Sequence, residues 1–412
     1  MSNVLSSVVL LPPDARSTLR RHLKLDDCQP LRVTYIPGPG DVVGTFAHWH
    51  AGRHEPRVPT VAYSLMFYEL MSQLDAEAQI ISIHPFDGSN VPASDRFHFE
   101  YLYPKPASGL PSYIQSRSAY ARELVSLTNR FDPHVVVTAT YNPSIAWRRL
   151  SKDRKLILSA HNTFWPMGHP PRDLKRRLRT GIVSWQTEAL DAAICTSHEC
   201  ARQLYDMTAG RLPGRVEYPQ IIERYSVEQR EKARKLLFLG RILRSKGVFL
   251  LLDAFDRLAE RHADLSLVIA GSGDAEGDVE TRLAKSPHSD RISFLGRIDS
   301  DAVHREIAAA DLLICPTMTS FNEGLALVGF EAAAHGIPSV LSSIVPAADL
   351  LEDSCTVFEA DNENALCNAL STLVEKPEFY LEKCLATVNV RDNLYDRSHS
   401  WGSELFHTMM SA

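Results

Sequence analysis

Residues 312–342 read LLICPTMTSFNEGLALVGFEAAAHGIPSVLS. The runs LLIC (312–315) and SVLS (339–342) have the length and apolar character of buried strands. Between them, Ser320 or Asn322 suits a helix N-cap, while His335-Gly336 and Pro338 are stop signals, so the pattern predicts a helix from about Gly324 to Ala334. Two strands joined by a helix form a crossover unit, and such a unit requires the strands to run parallel. The same alternation extends upstream. Before the quoted segment lie LLFL (236–239), LSLVIA (265–270) and RISFL (291–295), and the first half carries RVTYI (32–36), QIISI (79–83), VVVT (135–138), KLILS (155–159) and AAICT (192–196), with helical stretches at 60–75 and 114–130. At 412 residues the chain is too long for one ordinary core. The expected fold class is α/β, with two doubly wound, Rossmann-like domains facing across a cleft.

The segment 210–234 holds Pro213, Gly214 and Pro219 and then the charged run ERYSVEQREKAR, with no strand signal. The expected division is therefore a first domain over 1–215, a linker over 216–234, a second domain over 235–395, and a last helix over 396–412 suited to pack on either. A net charge of −6 offers no global attraction to nucleic acid. The seven cysteines form no CxxC pair and mostly lie in apolar runs, as expected of reduced, buried thiols in the cytoplasm. The opening MSNVLSSVVLLPP lacks a basic flank, and no segment reaches the roughly 18 apolar residues of a membrane span.

Ligands of open parallel sheets sit at the carboxyl ends of strands, so the post-strand loops carry the chemistry. After LLFL come Gly240, Arg241, Lys246 and Gly247 and then an apolar helix; glycine freedom, free amides and two cations suit a diphosphate, as they also suit a merely solvated basic loop. After LSLVIA come Gly271-Ser272-Gly273-Asp274. The next glycine is Gly277, one position too late for a dinucleotide fingerprint, so a tight turn is as good a reading as ligand contact, and a nicotinamide enzyme is disfavoured. In the opening segment, Glu323 and Glu331 would lie within about 80° on one helix face and about 12 Å apart along its axis. A ligand along that face would meet both. The alternative is that Glu331 pairs with a core arginine and Glu323 is a first-turn acid favoured by the helix dipole.

The run from LLFLGRILRSKG through LVIAGSGD, RISFLGRI, AAADLLICPT and NEGLALVGFEAAAHGIPSV resembles the donor-binding half of glycosyltransferase family 4, retaining sugar-nucleotide transferases of GT-B architecture. The first half resembles the family more loosely, through FDPHVVVTAT, KLILSAHNT and LDAAICTS. The resemblance implies a donor site in which Arg241 and Lys246 neutralise the diphosphate, Glu331 accepts from the ribose hydroxyls, and Glu323 contacts the transferred sugar. Amides of Gly324, Leu325 and Ala326 would lie near the sugar and phosphate, and His161 would reach the sugar from the first domain. Gly40, in the turn Pro37-Gly38-Pro39-Gly40-Asp41, is the matching site of close approach to the diphosphate. Two departures stand out: the Gly-Gly turn common after the second glutamate helix is replaced by Ser342-Ser343-Ile344-Val345-Pro346, and Ala326 sits where glycine or proline is usual.

The implied activity is transfer of a hexose-type sugar from a nucleotide diphosphate to a hydroxyl acceptor in glycan assembly, without metal or other cofactor. A sugar-nucleotide epimerase, a sugar phosphorylase and a non-catalytic sugar-nucleotide binder remain alternatives on the same fold. Asp41, Trp49 and Arg53, with Arg57, follow the first strand and suit acceptor contact. His48, His50 and His54 lie nearby, but without cysteine partners or regular spacing they make a weak zinc motif. RDLKRRLRTGIVSW (172–185) combines basic residues with Leu174, Leu178, Ile182 and Trp185; it suits either an anionic membrane surface bearing a lipid-linked acceptor or an ordinary solvated helix face.

Overall fold

The computed structural model describes residues 7–26, 28–55, 60–139, 144–228 and 230–411. Two wholly parallel sheets organise the chain. The first contains β1 (Arg32–Ile36), β2 (Glu77–Ser82), β3 (Phe97–Tyr101), β4 (Val135–Ala139), β5 (Lys155–Ala160), β6 (Ala192–Cys195) and β7 (Gly214–Val216), in spatial order 3-2-1-4-5-6-7. The second contains β8 (Lys235–Leu239), β9 (Ser266–Ala270), β10 (Ile292–Phe294), β11 (Leu312–Cys315), β12 (Ser339–Ser342) and β13 (Cys355–Phe358), in order 10-9-8-11-12-13. Each is a Rossmann-like sheet in which the strand order reverses once, between β1 and β4 and between β8 and β11.

The central strands are those most legible as sequence. Every residue of β4, β11 and β12 is buried, because helices cover both faces of a parallel sheet and an unbroken apolar run is then favoured over alternation. The strands without a clear sequence signal, β3, β7 and β13, all lie at or near an edge. In β3, FHFEY buries only Phe97 fully, and half-exposed edge strands need no continuous apolar run.

The crossover after β11 departs from expectation. The helix runs over Val328–Ala334, and residues 319–327 form a loop. Ala326, at φ +70°, lies in the left-handed region and interrupts any helical path from Gly324. Glu323 therefore lies outside the helix, and the shared-face geometry expected for Glu323 and Glu331 does not form.

The chain end crosses back to the first sheet. The helix Trp401–Met409 packs on helix Tyr63–Gln73, with Trp401, Leu405, Phe406 and Met409 in the first core. Two segments run side by side at this crossing: Tyr218 N–H donates to His399 O at 2.9 Å and Ile221 N–H to Leu394 O at 3.1 Å. All seven cysteines are free thiols, and five are buried.

Candidate functional site

The reversal between β8 and β11 leaves a crevice at their carboxyl ends, and the loops that follow, 240–247 and 316–327, face each other there. Glycines set their separation. A Cβ at Gly247 (φ +75°) would lie 1.8 Å from Pro316 O, so only glycine lets the first loop press against the second. Met318 N–H then donates to Ser245 O at 2.9 Å. A Cβ at Gly271 (φ +141°) would lie 1.7 Å from Gly240 O, and one at Gly273 would lie 2.5 Å from Ile242 O. Gly271 and Gly273 thus face the neighbouring loop's backbone, the tight-turn alternative, with Gly240 N–H donating to Ala270 O at 3.1 Å.

This packing gathers a charged cluster. Lys246 forms an ion pair with Glu323, and both side chains are largely buried. Thr317 Oγ1 donates to the same carboxylate oxygen at 3.1 Å. The Phe321 ring lies beneath two cations, with Lys246 Nζ 4.3 Å and Arg241 Cζ 5.1 Å from its centroid. Arg241 is exposed and has no carboxylate partner among the described residues. One cation is therefore neutralised and the other is open to an anion. Thr317 and Phe321 were not anticipated from the sequence; an aromatic residue two positions before Glu323 was the available signal.

Glu331 stands apart, buried in helix Val328–Ala334 without a side-chain hydrogen bond or ion pair among the described residues. The expected alternative, a core arginine partner, is not found among the described residues. Burial pushes its carboxyl up to about 7. Both glutamates act on Cys315 at the end of β11, whose thiol is pushed up to about 12 by burial first and then by Glu323, with Glu331 adding to the rise and Lys246 opposing it. A buried carboxyl with free acceptor capacity at the edge of a crevice suits hydroxyl donors. Leu325 is buried in the apolar cluster that also holds Leu313, Cys315 and Phe330.

Across the crevice, the loop after β5 meets the loop after β11. Thr163 Oγ1 donates to Glu323 O at 3.0 Å, and a Cβ at Gly324 would lie 2.4 Å from His161 O. The His161 backbone is thereby held against Gly324, next to Glu323 in the chain, while its ring packs on Tyr63 and Ser159. Burial lowers its pKa to about 4, so the imidazole is neutral near pH 7. Tyr63 packs against the ring with centroids 4.4 Å apart, and the Tyr63 hydroxyl donates to buried Glu217 at 2.9 Å.

Gly40 has open space around it, as close approach to a ligand requires. Asp41 caps helix Val42–His50, accepting from Gly44 N–H at 2.8 Å. Trp49 packs on Phe46, Tyr68 and Phe97, so its ring belongs mainly to the first core rather than to an open acceptor surface. Arg53 is exposed, and Arg57 lies outside the described residues. His48, His50 and His54 join no cluster of three or more candidate metal-ligating side chains among the described residues.

Helix Leu174–Thr187 exposes Leu174, Leu178, Ile182 and Trp185, which line one outward groove with Arg177 and Gly181. Arg148 lies over the Trp185 ring at 4.1 Å. Among the described residues no helix is long and apolar enough to cross a membrane.

Comparison with known proteins adds two family matches: residues 65–212 match the model for Glycosyltransferase Family 4, and residues 220–385 that for Glycosyl transferases group 1. An uncharacterized glycosyltransferase of Methanocaldococcus jannaschii is 33% identical over 121 residues, covering 29% of this chain and 30% of that protein. The alignments span 30%, 35% and 42% of the length of three such curated relatives. Whole-chain likeness comes from solved structures. Sucrose-phosphate synthase from Thermosynechococcus elongatus superposes with a TM-score of 0.66 at 15% identity, covering 92% of this chain and 97% of that one. Anabaena HepE in complex with UDP gives 0.62 at 14% identity, covering 92% and 98%.

Proposed function

Because the chain belongs to the family 4-like glycosyltransferases of GT-B architecture, we propose that it transfers a hexose-type sugar, with retention, from a nucleotide diphosphate to a hydroxyl acceptor. The observation that carries this reading is the cluster of Arg241, Lys246, Phe321 and Glu323 at the strand-order reversal, with Glu331 buried beyond it. Arg241 would receive the diphosphate first, since no carboxylate competes for it. Lys246 would divide its charge between phosphate and Glu323, and the resulting field would stabilise the charge that develops on the leaving diphosphate. Glu323, oriented by Thr317, would accept from sugar hydroxyls, and Glu331 from the ribose. Backbone groups of Gly240, Gly324, Leu325 and Ala326 would line the phosphate and sugar, and Gly40 would approach from the first domain. The two cations suffice for this role without a metal. No protein nucleophile is required if the leaving phosphate takes the proton of the incoming hydroxyl. The reading includes the division into domains over 1–215 and 235–395 joined by 216–234, with the last helix, 396–412, on the first.

For the acceptor, the apolar row on helix Leu174–Thr187 favours an anionic lipid surface. Arg172 and Arg177 are exposed beside it, and no acidic residue occurs between Leu174 and Thr187, so charge and apolar area complement such a surface. A cytoplasmic chain working at the inner face of a membrane follows from that reading.

The deciding experiment is thermal unfolding with UDP, GDP, ADP, CDP, dTDP and NAD, each with and without chelator. A ligand at 100 times its dissociation constant stabilises the native state by about 2.7 kcal/mol. One nucleoside diphosphate is expected to raise the Tm regardless of chelator, and Glu331→Ala to abolish the rise. Stabilisation by NAD alone, or by none of the six, would remove the donor site as assigned.

A further inference from the structure

His161 has a feature that the donor reading leaves unused: its protonation pattern is dictated from the far end of the chain. Ser159 and His161 lie two positions apart at the end of β5, so their side chains leave the same side of the strand. Trp401 Nε1–H, a group that can only donate, bonds Ser159 Oγ at 2.9 Å. Ser159 Oγ lies 3.1 Å from His161 Nε2. His161 Nδ1 is buried and has no hydrogen-bond partner among the described residues.

Two arrangements of the protons are available. If Nε2 carried the proton, Ser159 Oγ would accept from both Trp401 and His161. Its own hydroxyl proton would then have no acceptor among the described residues, and the Nδ1 lone pair would also be buried without a donor. If Nδ1 carries the proton, the hydroxyl donates to Nε2 and a single buried group, Nδ1–H, is left unmatched. Unmatched buried polar groups are costly, so the second arrangement prevails. The remaining orphan is a donor, suited to an oxygen supplied by a ligand.

We propose that Ser159 and Trp401 are positioning residues that hold His161 as its Nδ1–H tautomer, so that the imidazole meets a sugar or phosphate oxygen of the bound donor as a hydrogen-bond donor. The C-terminal helix thereby takes part in the donor site although it touches no donor atom. Tyr63, packed on the ring and anchored by Glu217, keeps the imidazole plane fixed while this happens. The role given to the ligand rests on the donor-site reading above; the tautomer itself does not.

The test is a long-range proton–nitrogen correlation spectrum of the full chain labelled with nitrogen-15 at histidine, taken without nucleotide between pH 6 and 8. The His161 signals are identified by their loss in His161→Gln. The wild-type chain is expected to show a protonated Nδ1 and a bare Nε2 throughout this range. A protonated Nε2 would overturn the proposal before any variant is made. Ser159→Ala is expected to transfer proton occupancy to Nε2, and Trp401→Phe, which keeps an aromatic ring, to do so to a smaller extent. An unchanged Nδ1–H pattern in Ser159→Ala would remove Ser159 from the device, and the same result in Trp401→Phe would remove Trp401. Ser159→Ala should also bind the nucleoside diphosphate sugar of whichever base stabilises the wild-type chain about tenfold more weakly, as expected for loss of one well-placed hydrogen bond. Unchanged affinity would overturn the ligand-facing role. An Nδ1–H spectrum in a chain that no nucleoside diphosphate stabilises would leave the tautomer intact and sink the donor reading instead.

Discussion

At the residue scale, the two cations of the candidate site differ in what holds them. Lys246 is largely buried and paired with Glu323, whereas Arg241 is exposed above Phe321. Their removal should therefore separate turnover from stability. Lys246→Ala should lower turnover by about 10²–10³-fold, as loss of one charge-stabilising group does. It should also destabilise the fold by about 3 kcal/mol, because Glu323 is left buried without its counter-charge. Arg241→Ala should lower turnover by a similar factor with the urea midpoint unmoved. Steady-state kinetics and urea unfolding of both variants check this; equal stability losses would mean that the burial difference carries no weight. The sequence named Arg241, Lys246, Glu323 and Glu331, since charged residues in post-strand loops are visible as text. It did not reveal that Lys246 and Glu323 pair, because they are 77 positions apart and only the folded loops bring them together.

At the element scale, the site depends on two loops lying closer than any side chain permits. Gly271→Ala would place a Cβ at 1.7 Å from Gly240 O, on a backbone at φ +141° that alanine avoids. It should cost several kcal/mol, roughly the upper range for strained substitutions, and abolish protection by nucleoside diphosphate. Gly277→Ala, with open space around it, is the matched control and should change neither. Thermal melts of the two variants with and without nucleotide settle the comparison. Helix Leu174–Thr187 supports a separate expectation. The double substitution Leu178→Glu and Ile182→Glu should abolish co-sedimentation with vesicles of phosphatidylcholine and phosphatidylglycerol while leaving the Tm within about 2 °C, since both side chains are exposed. Binding that persists would place the acceptor elsewhere. Most strands were legible because apolar runs of strand length between turn formers have few other uses. The helix expected to begin near Gly324 was not: Gly324 is pressed against His161 O from the other domain, and Ala326 is held left-handed, so a tertiary contact overrode a local pattern that favoured a longer helix.

At the scale of the whole molecule, two chain segments cross between the sheets, and a buried acid sits at the crossing. Glu217 is held by Tyr63, and burial pushes its carboxyl from 4.5 up to about 8, with Glu404 adding to the rise and the Tyr63 bond opposing it. The sign follows from proton counts. Between pH 4.5 and about 8 the native state keeps a proton that the unfolded chain has lost, so this contribution to stability is complete below the lower value and disappears as pH rises through the upper one. Glu217→Gln should remove that slope. Urea unfolding at pH 5 and pH 9 is expected to show the variant gaining on the wild-type chain at pH 9 by about 2–5 kcal/mol, and matching it at pH 5. A wild-type chain that loses no more stability than the variant would show that Glu217 ionises freely.

The sequence alone determined the parallel α/β class, two sheets, and the residue types gathered after each strand, because hydrophobic period, glycine and charge act through near neighbours along the chain. Only the tertiary structure decided the order of strands and therefore which post-strand loops share a crevice. It also decided the Lys246–Glu323 pair, the inward turn of Trp49, and the link from Trp401 through Ser159 to His161. These depend on contacts between residues tens to hundreds of positions apart. Their free energy comes from burial and close approach across the fold, which no local pattern encodes.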